Sequence, residues 1–369
     1  MQQPQLPKEF VTSPAVFAVE DTYQILLPVN TALLFWVTIG GETYYDHSNG
    51  ILRSDTRVHR VTVPMRALDN AGEYTVCWRR IIERKAYYTV TEEAQQYTCR
   101  FYPVRTEGTV KLYHLSDTHG ELTLAAQAGG YFNGDIDLLI LNGDIMDHSG
   151  EEDNFLLIFR LCSAITGGEH PCVFARGNHD LRGYYAERLA DYTPTLNGKS
   201  YYNFRLGRIW GLVLDCGEDK ADGHEEYGHT VACEAFRREE NAFLEAIAEQ
   251  KAYSAEDIQV RLVIVHTPFL TELEEPYNIE TALYRHWAEL LAKRIKPDLF
   301  LTGHLHETRI MPADDERPFP VIIGSRAVKE YEAVQDFIGC ALTLQEKSVT
   351  VAFTDSAHRT VAQEELTLS

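Results

Sequence analysis

The sequence predicts a mixed α/β domain preceded by a smaller all-β sandwich domain. Residues 1 to about 105 contain short runs rich in Val, Ile, Thr, Tyr and Phe, separated by turn signals such as Asn49-Gly50. From about residue 110 to 310, apolar strands alternate with amphipathic helical segments, and strands dominate again after residue 319. We therefore expect domains at 1–105 and 106–369, with Pro103 to Gly108 as the linker.

The N-terminal segment has the pattern of a sheet with one buried face. From Val58 to Met65, apolar and polar residues alternate, as expected for a strand that is covered on one side. Further strands are predicted at 17–29, 32–45 and 73–82. The segment has no cluster of His, Asp or Cys at ligand spacing, so we interpret it as an accessory domain.

Composition restricts the class of partner. The 369 residues are 44% hydrophobic and 24% charged, as in ordinary globular proteins. A net charge of -21 argues against long nucleic acids, which are bound by neutralising phosphates with Lys and Arg. A small phosphorylated substrate is compatible with this charge if metal ions supply positive charge locally.

The sequence shows no secretory signal in residues 1–20 and no apolar run long enough to span a membrane. Its seven cysteines are scattered and include no CxxC pair, which is typical of reduced cysteines in a core. We expect a cytoplasmic protein that is not bound to a membrane, and a processed secreted form stays open. The sequence does not indicate the oligomeric state.

Five apolar strands of the second segment each end in polar residues of the kinds that bind metals. The strands are predicted at 110–115, 136–141, 171–175, 260–265 and 299–301, with helices at 151–165, 231–251 and 283–295 between them. The C-terminal ends of strands in such folds form ligand sites. The residues that follow them are Asp117, His119, Asp144, Asn178, His179, Asp180, His266, His304 and His306.

This set predicts two metal ions. Carboxylate, imidazole and amide oxygen ligands without thiolates suit Mn, Fe, Zn or Co. Asp117 and His119 share an i, i+2 spacing with His304 and His306, so each pair can face one site from extended backbone. Seven ligands exceed the four that one zinc takes, and two metals about 3.5–4 Å apart suit phosphoryl transfer.

Each group has a simpler interpretation when it is considered alone. Asp144 and Asp147 could cap helices, and the residues around His304 could form a turn. Arg176 could contact a phosphate or pair with a carboxylate. The recurrence of such groups after five strands favours a shared site.

The series Asp117-Thr118-His119, Gly143-Asp144, Gly177-Asn178-His179-Asp180, His266 and Gly303-His304-Leu305-His306 resembles the calcineurin-like metallophosphoesterase superfamily over about residues 110–310. The resemblance implies a four-layer α/β/β/α sandwich. It implies one metal on Asp117, His119 and His306, a second on Asn178, His266 and His304, and Asp144 as the bridge. It also implies that His179 is the general acid or a transition-state stabiliser and that Asp180 orients its ring.

The two-domain plan is similar to that of purple acid phosphatases and their bacterial relatives. The segment 214–220, with Asp222, His224 and Tyr227 beyond it, resembles a loop of those bacterial relatives. We therefore expect this loop to border the substrate pocket, with Arg176 and His224 as substrate contacts. Purple acid phosphatases carry Tyr where this chain has Asp147 and Gly where it has His119, so we expect divalent metals and a protein that is not purple.

The resulting prediction is a dinuclear metal-dependent phosphohydrolase that acts by metal-hydroxide attack, with phosphomonoesters favoured. A phosphodiesterase acting on small molecules or cyclic nucleotides is the alternative within this class. A non-catalytic metal-binding or scaffold protein is the alternative from another class, and the His179–Asp180 pair argues against it because a scaffold needs neither residue.

Overall fold

The architecture rests on two large sheets that pack face to face. A computed structural model describes residues 5–271, 274–315, 317–331 and 333–368. The first sheet runs, from one edge to the other, through Thr360–Thr367, Ser348–Thr354, Ala333–Leu344, Val110–Leu115, Leu138–Asn142, Pro171–Ala175, Ala15–Val19, Thr22–Pro28 and Val58–Pro64. A tenth strand, Arg326–Glu330, pairs with Ala333–Leu344. The second runs through Tyr202–Leu206, Ile209–Val213, Val260–Ile264, Leu299–Thr302, Val321–Ile323 and Arg309–Met311.

Side-chain alternation along the central strands builds three apolar layers. Leu138 and Ile140 face the second sheet, and Leu139 and Leu141 face the opposite way. The outer face of the first sheet is covered by the helices Leu122–Gly129 and Leu156–Thr166. The outer face of the second is covered by Cys233–Gln250, Thr281–Leu290 and its continuation Leu291–Ile295. The result is helix, sheet, sheet, helix, which confirms the predicted four-layer α/β/β/α class.

The N-terminal segment contributes a further sheet of its own. Its strands are Gln95–Arg100, Glu73–Arg84, Leu33–Ile39 and Glu42–Tyr45, with Thr89–Thr91 beside Glu73–Arg84 and a separate pair His47–Ser48 and Ile51–Leu52. A short helix, Met65–Ala71, ends at Gly72, whose φ of 63° is left-handed. Val37 and Val76 of this small sheet share a core with Ile25 and Val61 of the first large sheet. This packing forms the all-β sandwich expected before residue 105.

One face of that sandwich belongs to the first large sheet. The strand Ala15–Val19 pairs in parallel with Pro171–Ala175, with Val16 opposite Pro171 and Phe17 opposite Cys172. Ala15 and Phe17 also pack in the apolar layer that holds the helix Leu156–Thr166. A domain boundary at residue 105 stays a prediction, and the two predicted parts share one continuous sheet.

Parallel pairing brings the ends of the central strands together. Val110–Leu115, Leu138–Asn142 and Pro171–Ala175 are mutually parallel in the first sheet. Ile209–Val213, Val260–Ile264 and Leu299–Thr302 are parallel in the second. Parallel strands place their C-terminal ends at one edge of a sheet, and the polar loops therefore meet there. Among the described residues, no helix is both long and apolar enough to cross a membrane.

The other elements are short. They are the helix Leu189–Tyr192 and the 3₁₀ turns Gly130–Phe132, Glu152–Phe155, His179–Leu181, Ala186–Arg188, Glu225–Tyr227 and Ala252–Ser254. The predicted helix at 151–165 is thus a 3₁₀ turn followed by the helix Leu156–Thr166. Asp147 lies in the loop before this turn and caps no helix.

Candidate metal centre

The seven predicted metal ligands converge at the C-terminal ends of the central strands. Asp117, His119 and His306 form one group whose ligand atoms lie within 4.8 Å of one another. Asp144, His266 and His304 form a second such group. Asn178 joins the second group because its Oδ1 lies 3.0 Å from Nδ1 of His304. The two groups correspond to the two ligand sets expected from the sequence.

Asp144 lies between the two groups. Its Oδ2 is 3.2 Å from Nε2 of His266 in the second group and 3.8 Å from Nε2 of His119 in the first. Its other oxygen, Oδ1, accepts a hydrogen bond from the backbone N–H of His179 at 2.9 Å. Asp144 therefore approaches both groups, and its bridging role stays a prediction.

The loops that carry the ligands are held in an uncommon backbone conformation. Five ligands have positive φ: Asp117 (55°), His119 (45°), Asp144 (52°), His304 (69°) and His306 (51°). Non-glycine residues rarely adopt this conformation, and such outliers cluster at functional sites. The backbone N–H of His119 donates to the carbonyl of Asp144 at 3.0 Å, and that of His304 donates to the Asp117 carboxylate at 3.0 Å. These bonds fix the loops against one another.

His266 carries the clearest sign that the site suits a cation. Its Nδ1 donates to the carbonyl of Asn142 at 2.7 Å, which leaves Nε2 directed at the carboxylates. Apart from its ion pair with Oδ2 of Asp144, this buried Nε2 has no hydrogen-bond partner among the described residues. Burial alone would lower the pKa of His266, but the charges of Asp144 and Asp117 outweigh it and raise the pKa to about 10. The carboxylates therefore favour positive charge at this point, as they would in a metal site.

The imidazoles of His119 and His304 are poised as neutral ligands. Burial, together with the charge of His266, lowers the pKa of His304 to about 4. Burial likewise lowers the pKa of His119 to about 4, against the opposing charge of Asp144. Neutral imidazoles and ionised carboxylates are the forms that bind metals. The donor set therefore fits two divalent cations.

His179 stands beside the first group, and both of its ring nitrogens have polar neighbours. Its ring packs edge-on against the ring of His119, with the centroids 4.6 Å apart. Its Nδ1 donates to the backbone carbonyl of Asp147 at 2.8 Å, so Nε2 is the ring nitrogen that is left to face the site. Nη1 of Arg182 lies 3.3 Å from that Nε2. Asp147 also places a carboxylate oxygen 3.2 Å from Nδ1 of His119.

Asp180 does not orient His179 in the way that the sequence analysis expected. Its Oδ2 accepts from the backbone N–H groups of Gly177 at 2.8 Å and Asp144 at 3.3 Å. Its Oδ1 has no hydrogen-bond partner within the described part of the chain. Burial, together with the charge of Asp144, raises the pKa of Asp180 to about 8. The carboxyl group therefore ties the two ligand loops together, and the backbone of Asp147 orients the imidazole instead.

The two expected substrate contacts have polar partners outside the two ligand groups. Nε of Arg176 is 2.7 Å from Oδ2 of Asp215, and its guanidinium lies over the ring of Phe236. Arg176 thus pairs with a carboxylate, which was one of its two interpretations. The Nδ1 of His224 accepts from the backbone N–H of Glu226 at 3.3 Å, a contact inside its own turn.

The loop 214–227 does border the metal centre, through residues that sequence reasoning did not single out. Oδ2 of Asp219 is 3.8 Å from Nε2 of His304. Glu218 and Glu226 contact Arg182, which in turn reaches His179. The only signals in the sequence were the loop resemblance and the position of Arg182, three residues after His179.

Comparison with known proteins decides the family. The family model described as calcineurin-like phosphoesterase matches residues 110–308, which is more than half of the chain. The chain belongs to this family. The resemblance stated from the sequence is thereby confirmed, because the matched residues contain all seven predicted ligands and His179.

A curated relative and two solved structures are similar to this member of the family. A probable cyclic nucleotide phosphodiesterase of Rhodopseudomonas palustris is 32% identical over 175 residues, which are 47% of this chain and 57% of that protein. The chain thus spans just over half the length of this relative. Purple acid phosphatase PPD1 of yellow lupin (Lupinus luteus) matches 96% of this chain and 74% of its own, with TM-score 0.61 and 13% identity. The structure of PhoD matches 99% of this chain and 90% of its own, with TM-score 0.57 and 12% identity. At these identities the two structures establish likeness of fold alone.

Proposed function

We propose that this calcineurin-like phosphoesterase hydrolyses phosphate esters with the help of two divalent metal ions. The observation that carries the proposal is the position of Asp144 between two ligand groups, with His179 beside them. Two bound cations would polarise the phosphoryl oxygens and lower the pKa of water from about 15.7 toward about 7. Mn, Fe, Zn and Co all suit these nitrogen and oxygen donors.

The residues of the chain would then divide the remaining work. Asp117, His119 and His306 would hold one cation, and Asn178, His266 and His304 the other, with Asp144 shared. His179 lies beside the first group, and its Nε2 is on the side of the ring opposite the bond to Asp147. At Nε2 the ring would hold a proton for the leaving oxygen. Asp180 would hold the loops of Gly177 and Asp144 together by accepting hydrogen bonds from both backbones.

The substrate that we propose is small and phosphorylated. A net charge of -21 disfavours long nucleic acids, whereas one phosphate needs only the local charge of the cations. The metal centre specifies phosphoryl chemistry and not the leaving group. Phosphomonoesters are the first candidate, as the sequence analysis expected. Small diesters are the second, favoured by the name of the Rhodopseudomonas palustris relative.

The test compares p-nitrophenyl phosphate with bis-p-nitrophenyl phosphate on protein loaded with Mn, Zn, Co or Fe. We expect turnover of at least one ester with at least one metal, and the ratio of kcat/KM values ranks monoester against diester. Asp144→Asn serves as the matched inactive variant and Asp257→Asn, an exposed carboxylate, as the matched control. Two bound metals per chain without any turnover would instead favour the scaffold alternative. A cytoplasmic location is part of the proposal and is tested by fractionating the cells that produce the protein.

A further inference from the structure

The guanidinium of Arg182 stands at the rim of the metal centre. Arg182 directly follows the 3₁₀ turn His179–Leu181. Nη1 of Arg182 is 3.3 Å from Nε2 of His179. Because Nδ1 of His179 is committed to the carbonyl of Asp147, the ring nitrogen that faces Arg182 is also the one free for a substrate.

Arg182 is held in this place by a buried carboxylate. Its Nε lies 3.0 and 3.3 Å from the two oxygens of Glu218, and its Nη2 lies 3.0 Å from Oε2. The Glu218 side chain is 1% exposed, whereas that of Arg182 is 24% exposed. A carboxylate so deeply buried needs a cation, and the forked geometry removes most of the freedom of the guanidinium. The guanidinium of Arg182 is therefore a fixed hydrogen-bond donor, and its accessible edge is the one that carries Nη1.

That accessible edge is in contact with an exposed carboxylate. Oε1 of Glu226 is 3.3 Å from Nη1 of Arg182, and its Oε2 is 3.0 Å from Nζ of Lys220. The Glu226 side chain is 41% exposed and lies on the short turn Glu225–Tyr227. Lys220 keeps a second partner in Asp219 at 3.0 Å. The Glu226 side chain can therefore rotate into solvent, away from Arg182 and Lys220. This rotation leaves the buried contact between Arg182 and Glu218 intact.

We propose that Arg182 binds a non-bridging oxygen of the substrate's phosphoryl group beside His179, at the position where the Glu226 carboxylate lies. This inference rests on the proposed function and assigns to Arg182 the phosphate contact that the sequence analysis gave to Arg176. Arg176 is engaged by Asp215 and Phe236, whereas Arg182 directs Nη1 at the site. Glu226 then competes with the substrate for Arg182, so removing its charge strengthens phosphate binding.

The test measures binding of inorganic phosphate by calorimetry to the full chain loaded with Mn²⁺. The double variant Arg182→Gln/Glu218→Gln removes the donor together with its buried partner, so no unpaired carboxylate remains. We expect about tenfold weaker phosphate binding at unchanged metal content, as for loss of a charge-assisted contact. Glu226→Gln should tighten phosphate binding several-fold. Glu225→Gln, which removes the same charge from a neighbouring exposed residue, should leave it unchanged.

Each outcome decides the proposal. Unchanged phosphate affinity in the double variant overturns it, as does weaker binding in Glu226→Gln, because a merely structural network would be loosened by either change. If the double variant does not fold, the glutamate pair decides: tightening in Glu226→Gln alone supports the proposal, and equal affinities overturn it. Phosphate binding that responds as expected without turnover of any ester would refute the proposed function and leave the Arg182 contact standing. Wild-type protein that binds two Mn²⁺ but no phosphate would refute the contact itself.

Discussion

Gly177 packs so closely against Asp144 that no side chain fits between them. A Cβ atom on Gly177 would lie 2.2 Å from Oδ1 of Asp144 and 2.5 Å from its backbone nitrogen. Asp144 is the carboxylate between the two ligand groups, and the backbone N–H of Gly177 bonds to Asp180. The glycine is thus required by the close approach of two ligand loops.

We expect Gly177→Ala to displace Asp144 and to weaken metal binding by about 10–100-fold, as changes behind a metal ligand do. Metal content after dialysis, measured by mass spectrometry, checks this result. Gly223→Ala is the control, because a Cβ atom there would meet no atom within 4 Å. Gly177→Ala protein that keeps two tightly bound metals would contradict the assigned role of Asp144.

His179→Asn should slow ester hydrolysis by about 10²–10⁴-fold, the usual contribution of a general acid, without loss of metal. The asparagine amide can still donate to the carbonyl of Asp147, so the loop geometry should survive. Steady-state kinetics and metal content are measured on the same preparation. Parallel losses of rate and metal would show that His179 holds the metal centre together and is not an acid.

Asp180→Ala should act mainly on stability. The change leaves the backbone N–H groups of Gly177 and Asp144 without their acceptor in a buried place, at a cost of about 1–3 kcal/mol each. Urea unfolding of the metal-free protein measures the loss in free energy of unfolding. A loss of kcat at wild-type stability would instead restore the orienting role that the sequence analysis gave to Asp180.

His114 predicts a pH dependence of stability. It is fully buried, and burial lowers its pKa to about 3, with the charge of His266 acting in the same direction. An unfolded histidine titrates near about 6.5, so between these values the unfolded chain binds a proton that the folded chain does not. Stability therefore falls as the pH falls through this window, by at most about 1.4 kcal/mol per unit for this group.

His114→Gln should flatten that slope, since glutamine does not titrate yet can still accept from Asn142, which bonds Nε2 of His114 at 3.1 Å. Urea midpoints of the metal-free wild type and variant between pH 4 and 8 make the comparison. We expect the difference between the urea midpoints of the wild type and the variant to shrink as the pH falls. Parallel curves would show that His114 does not carry this dependence.

Much of the centre could be predicted from local sequence because it lies where strands end. An apolar run such as 138–141 marks a buried strand, and the Gly143-Asp144 that follows it must then lie at the sheet edge. Five repetitions of this pattern predicted the ligands that the structure brings together. The four layers of helix and sheet were implied by the family resemblance and not by this local pattern.

Contacts between residues distant in sequence could not be predicted in this way. The pairing of Val16 with Pro171 joins the N-terminal strands to the first large sheet, and no local pattern records it. Nor does the sequence reveal that Arg176 points to Asp215 while Arg182 points to His179.

The sequence by itself determined which residues are available as metal ligands and the order of strands and helices that carries them. These features depend on hydrophobic period and residue type, which act over a few neighbouring positions. Only the tertiary structure decided which arginine faces the metal centre and which group orients His179. Those outcomes depend on backbone paths, since a carbonyl of Asp147 and a buried carboxylate of Glu218 act from loops that meet only in the folded chain.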